Sequence, residues 1–133
     1  MANPGALRAV VLENTFTSIP AMAGSLLPIL AKLVGPGAPL TFLVRDTWRT
    51  LERVPRIAAP LLFVCSGLDE MVPPAQMRAL HAAATVSPRA AWLELPQAHH
   101  MDAWAVGGAA YWDGMKAFLK ANGCYEDADA SAQ

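Results

Sequence analysis

Three apolar runs, each closed by polar or turn residues, organise the chain. Ala9-Val10-Val11-Leu12 ends at Glu13 and Asn14, and Pro60-Leu61-Leu62-Phe63-Val64-Cys65 leads into Ser66-Gly67-Leu68-Asp69-Glu70. The third, Ala91-Trp92-Leu93-Glu94-Leu95, stops at Pro96. The first two runs show no alternation of apolar and polar positions, which is the pattern of strands buried on both faces of a parallel sheet. Between the runs the spacing changes. From Ile19 to about Leu33 apolar residues recur at helical intervals, until Val34-Gly35-Pro36-Gly37-Ala38-Pro39 supplies a stop. A short helical piece is predicted through Phe42 to Leu51, with Trp48 on its apolar side. Pro73 and Pro74 stand where a helix begins, followed by Met77, Leu80 and His81 at i, i+3 and i+4. A final helix is predicted from about Ala109 to Ala121, with Tyr111, Met115, Phe118 and Leu119 on one face. The small and acidic residues 122–133 predict a disordered tail.

Strands alternating with helices predict an α/β fold with a parallel sheet covered on both faces. We assign residues 1–121 to a partial domain, with a helical flap over about 19–51. A fully apolar first strand needs neighbours on both sides, and nothing in the chain precedes it. The expectation is therefore that central strands of the sheet are missing, and that the exposed edge promotes self-association.

Composition supports a partial domain. Of 133 residues, 54% are hydrophobic and 16% charged, and the mean hydropathy is +0.29, more apolar surface than a chain of this length easily covers. Ten basic and eleven acidic residues give a net charge of -1, which leaves no electrostatic footprint for nucleic acid. Two cysteines without metal-ligand spacing predict a reduced interior. No secretory signal is visible, and the longest apolar stretch, Ile19 to Val34, is interrupted by Pro20, Pro28 and Lys32. That stretch makes a poor spanning helix, although it could rest on a lipid surface.

In an open parallel sheet, reactive groups collect beyond the C-terminal ends of the strands. Asp69 follows the second run, and His99 and His100 follow the third. If those strands are neighbours, about 5 Å apart, a carboxylate can reach an imidazole, fix its tautomer and stabilise its protonated form. Taken alone, the spacing fits equally well with Asp69 as a turn or cap residue and the histidines as polar loop residues. A metal site built from His99, His100, Asp102 and His81 is the weaker alternative, because adjacent histidines point in different directions and His81 belongs to another helix.

Several separate segments narrow the choice. Leu12-Glu13-Asn14-Thr15-Phe16-Thr17-Ser18, Ser66-Gly67-Leu68-Asp69-Glu70-Met71-Val72-Pro73-Pro74, and His100-Met101-Asp102-Ala103-Trp104 through Tyr111-Trp112 resemble the bud-emergence-protein-like branch of the α/β-hydrolases. This branch includes α/β-hydrolase-domain-containing protein thirteen. Phe42-Leu43-Val44-Arg45 and Trp48-Arg49-Thr50 resemble the region between the flap and the next strand. The resemblance implies the C-terminal portion of an α/β-hydrolase fold, with Asp69 as triad acid and His100 as triad base. It implies an acyl ester or thioester substrate, no cofactor, and membrane association through an N-terminal anchor that this chain does not carry. The family loop generally has one more residue between Gly67 and the acid, so Glu70 and Asp102 stand as alternative partners for His100.

The fold's nucleophile is a serine in Gly-x-Ser-x-Gly on a sharp turn. None of Ser18, Ser25, Ser66, Ser87 and Ser131 has glycines at both flanking positions. Cys65 falls within a strand, and Thr15 lacks such a turn. Two function classes follow: the C-terminal fragment of a serine hydrolase, inactive by itself, or an inactive binding or interaction module.

Overall fold

The computed structural model describes residues 7–26, 32–33, 38–40, 42 and 48–124. Their elements are β1 (Val10–Glu13), α1 (Ile19–Leu26), α2 (Thr50–Arg53), a 3-10 turn (Val54–Arg56), β2 (Leu61–Ser66), α3 (Pro74–Ala83), β3 (Ala90–Leu95) and α4 (Ala103–Ala121). The strands form one parallel sheet in the order β1-β2-β3. This is the predicted α/β class, consistent with part of an α/β-hydrolase fold.

β2 is central, and all six of its residues are buried. Because successive side chains point to opposite faces, its apolar run feeds two cores. Leu61, Phe63 and Cys65 pack with Val54, Met77 and Leu80 under α3 and the 3-10 turn. Leu62 and Val64 pack with Leu95, Ala98, Ala103, Tyr111 and Phe118 under α4. A large apolar side chain taken fully out of water contributes roughly 1.5–3 kcal/mol, so the residues of β2 hold both helical layers to the sheet. At β1, Val10, Val11 and Leu12 are half-buried rather than buried, and among the described residues this strand pairs with β2 alone.

Two elements differ from the sequence expectation. α4 begins at Ala103, six residues before the predicted start, because Gly107-Gly108 does not end the helix. Gly108 instead adopts φ 49° and ψ -127°, a kink inside the element that glycine tolerates at little steric cost. The helical piece expected through Phe42 to Leu51 appears in the described residues only as α2, Thr50–Arg53. Trp48 lies ahead of it at φ 34°, 60% exposed and stacked at 6.3 Å on Phe16. Residues 43–47 of that piece, the second half of the flap helix apart from Lys32 and Leu33, and the tail beyond Cys124 lie outside the described residues.

Candidate functional site

The C-terminal ends of β2 and β3 are stitched together beyond the last paired residues, Ser66 and Leu95. The Gly67 N–H donates to the Leu95 carbonyl at 2.9 Å, and the Leu68 N–H donates to the Ala98 carbonyl at 3.0 Å. This approach requires glycine. A Cβ at position 67 would stand 2.6 Å from the Pro96 carbonyl oxygen and 2.8 Å from the Pro96 Cα. The loop carrying Asp69 and the loop carrying His100 therefore leave the sheet in backbone contact.

Asp69 turns inward, and its side chain is 2% exposed. One oxygen, Oδ1, accepts the Met71 and Val72 N–H groups at 2.9 and 2.7 Å, closing an Asx-type turn that leads toward Pro73 and α3. The other, Oδ2, lies 2.8 Å from His100 Nδ1. An ionised carboxylate can only accept, so the shared proton belongs to Nδ1. His100 Nε2 has no hydrogen-bond partner among the described residues, and the ring is 21% exposed. An imidazole held at one nitrogen by a buried carboxylate, with the other nitrogen unprotonated, can accept a proton and return it.

Both alternative partners of His100 are occupied elsewhere. Glu70 Oε2 pairs with His99 Nδ1 at 3.0 Å, with both side chains more than half exposed. The Glu70 carboxyl is held below the usual carboxylate range, first by a hydrogen bond from its own backbone N–H and then by His99. Asp102 Oδ1 accepts the His99 N–H at 2.6 Å, and the Asp102 carbonyl accepts the N–H groups of Ala105 and Val106 at the start of α4. His81, weighed above as a metal ligand, sits on α3 with Nε2 3.1 Å from the Ala90 carbonyl, between Phe63 and Trp92. No group of three or more metal-ligating side chains occurs among the described residues.

The described serines are engaged in local structure. The Ser18 hydroxyl accepts from the Ala21 N–H, the Ser25 hydroxyl donates to the Ala21 carbonyl, and that of Ser87 bonds to the carbonyls of Ala59 and Arg89. Ser66 is buried and bonded to Asn14. Ser131 lies outside the described residues. Cys65 is buried, and burial is the first cause that pushes its thiol up to about 11, with the nearby Glu94 carboxylate adding to it; a thiol in that state is a poor nucleophile.

Asn14 and Gly67 received no site role from sequence alone. Asn14 stood only as the polar residue ending the first run and within a motif. Its one local signal is the preference of asparagine for left-handed backbone after a strand, and it has φ 42°.

No family model matches the chain. It is 43% identical, over 89% of its length, to the alpha/beta hydrolase domain-containing protein WAV2 of Arabidopsis thaliana, and covers 40% of that protein. An uncharacterized protein of Mycobacterium tuberculosis is 30% identical over 84% of the chain, and an uncharacterized membrane protein of Saccharomyces cerevisiae is 31% identical over 83%; the chain covers 36% of each. The chain thus spans well under half the length of these curated relatives.

Proposed function

Because the chain is a relative of the α/β-hydrolases, we propose that it forms the C-terminal part of a serine hydrolase that acts on ester or thioester bonds of acyl groups. The observation that carries this reading is the 2.8 Å contact between a buried Asp69 carboxylate and His100, at the strand ends where such chemistry is done. In the complete enzyme His100 Nε2 takes the proton of a serine hydroxyl supplied by the rest of the protein. The serine oxygen then bonds to the acyl carbon, and the leaving alcohol or thiol departs with the proton that His100 returns. Water repeats the sequence and releases the acid. Asp69 keeps the Nδ1–H tautomer and offsets the positive charge of the imidazolium. No cofactor takes part.

The relative from Saccharomyces cerevisiae is named as a membrane protein, which supports membrane association of the complete protein. Among the described residues no helix is long and apolar enough to cross a membrane. The half-buried apolar residues of β1 support self-association of the 133-residue chain through that edge. An inactive binding module is the second reading, and it draws on the local engagement of every described serine hydroxyl.

Labelling with a serine-directed fluorophosphonate separates the two. The 133-residue chain is expected to show no labelling and no ester turnover. The chain extended upstream in its reading frame to the relatives' length is expected to label, with His100→Ala lowering turnover by about 10⁴-fold or more and Asp69→Asn by about 10⁴-fold. Labelling of the short chain would place a nucleophile within it and contradict the assignment. An unlabelled extended protein would favour the binding module.

A further inference from the structure

Asn14 is a buried polar residue at the end of β1, away from the two loops that carry Asp69 and His100, yet its carboxamide reaches both β2 and the His100 loop. Oδ1 accepts the Ser66 N–H at 2.8 Å. Nδ2 donates to the Ser66 hydroxyl at 2.9 Å and to the His100 carbonyl at 3.1 Å. The orientation is fixed by its partners, since the Ser66 N–H can only donate and the His100 carbonyl can only accept. The Asn14 N–H continues the sheet ladder by donating to the Val64 carbonyl at 3.0 Å. Next to it, Glu13 Oε2 accepts the Tyr111 hydroxyl at 2.8 Å, which anchors the same turn to α4.

We propose that Asn14 is a positioning residue for His100, fixing the backbone from which the imidazole is presented to Asp69. The inference rests on the hydrolase reading above, in which His100 is the base. Few residues meet the demand at this position. The site needs one acceptor and two donors on a short side chain, and a residue that tolerates φ 42°. Aspartate has no donor when ionised, serine has one, and glutamine is longer by a methylene. Gly67 fixes the spacing where the two loops leave the sheet, and Asn14 fixes the His100 loop further out, so the imidazole cannot swing with its backbone. Losing this hydrogen bond leaves the part-buried His100 carbonyl without its side-chain partner, which lets the loop sample positions in which the Asp69 contact is broken.

Solvent exchange of individual side-chain protons in the isotope-labelled protein, extended upstream in its reading frame to the relatives' length, tests this. In the wild type the His100 Nδ1–H is expected to be protected, and the Asn14 carboxamide protons are expected to exchange at least about tenfold slower than those of exposed Gln97. Asn14→Gly keeps the left-handed backbone accessible and removes the side chain with its carboxamide. It is expected to speed exchange of the His100 Nδ1–H by about tenfold or more, whereas Ser87→Ala, which removes a hydroxyl lying between two carbonyls elsewhere, leaves that proton unchanged. Asn14→Asp retains the acceptor and loses both donors, and the same acceleration is expected from it. Unchanged His100 exchange in a folded Asn14→Gly or Asn14→Asp chain overturns the positioning role. So does a wild-type Asn14 carboxamide that exchanges as fast as Gln97, which decides the matter if neither variant folds. An unprotected His100 Nδ1–H in the wild type removes the Asp69 pair itself, and with it both this inference and the hydrolase reading.

Discussion

Two imidazole–carboxylate pairs lie side by side, built from consecutive residues of the same two loops. Asp69 with His100 and Glu70 with His99 have nearly equal separations of 2.8 and 3.0 Å. Their surroundings are opposite. The Asp69 side chain is 2% exposed, and each of its oxygens is bonded. The Glu70 side chain is 58% exposed and its partner ring 52%. In water and salt an exposed ion pair yields about 0–1 kcal/mol, because solvent screens the attraction and two mobile side chains must be ordered. A buried carboxylate cannot fall back on water, so its hydrogen bonds decide whether it is tolerable at all. A one-residue step along both loops thus separates a surface contact from an ordered pair able to direct proton transfer.

The inner pair is most vulnerable at Asp69. Asp69→Ala strands the Met71 and Val72 N–H groups as well as the His100 ring, and is expected to destabilise the fold by about 2–4 kcal/mol in urea unfolding. Glu70→Ala is expected to leave the urea midpoint essentially unchanged. Equal losses would erase the distinction between the pairs. Gly67→Ala strikes both together, since its Cβ meets the Pro96 backbone rather than a movable side chain. About 2 kcal/mol of destabilisation is expected, with the His99 and His100 resonances shifting in parallel; a Gly67→Ala variant as stable as wild type would show that the two loops need no such contact.

The smallest effect sharpens the outer pair. Glu70 has its carboxyl lowered in the folded state, first by its own backbone N–H and next by His99. A depressed folded value means that the charged form is preferred on folding. The stability this adds is complete above the ordinary glutamate range and disappears as pH falls through the folded value. Glu70→Gln should therefore flatten the acid limb of the stability profile slightly, and added salt should shrink the difference between variant and wild type. A steeper acid limb in the variant would reverse the assigned sign.

The scaffold was legible because β2 must be apolar on both faces, and Leu61 through Cys65 state this without interruption. Asp69, His99 and His100 stand out because each follows a strand at its C-terminal end, where side chains leave the packed layers, and the family resemblance singles out Asp69 and His100 among them. What sequence could not supply is the choice among Asp69, Glu70 and Asp102 as partner of the ring. That depends on the backbone approach of Gly67 to Pro96, a contact between segments far apart in the chain that has no local signature. Asn14 went unassigned for a related reason, since its carboxamide bonds to residues 52 and 86 positions away. The early start of α4 is not legible in the apolar pattern, which begins at Tyr111, and one positive-φ kink at Gly108 joins the earlier turns to the rest of the helix.

If Asp69 fixes His100 in one protonation geometry, the imidazole holds a single tautomer in solution. The chain has three histidines, so selective ¹⁵N labelling resolves each ring in a long-range ¹H–¹⁵N correlation at about pH 8, where imidazoles are neutral. The expected spectrum shows His100 as a single tautomer, protonated at Nδ1 and bare at Nε2, beside a tautomer mixture at exposed His99. A proton on His100 Nε2, or a mixture there matching that of His99, would contradict the account.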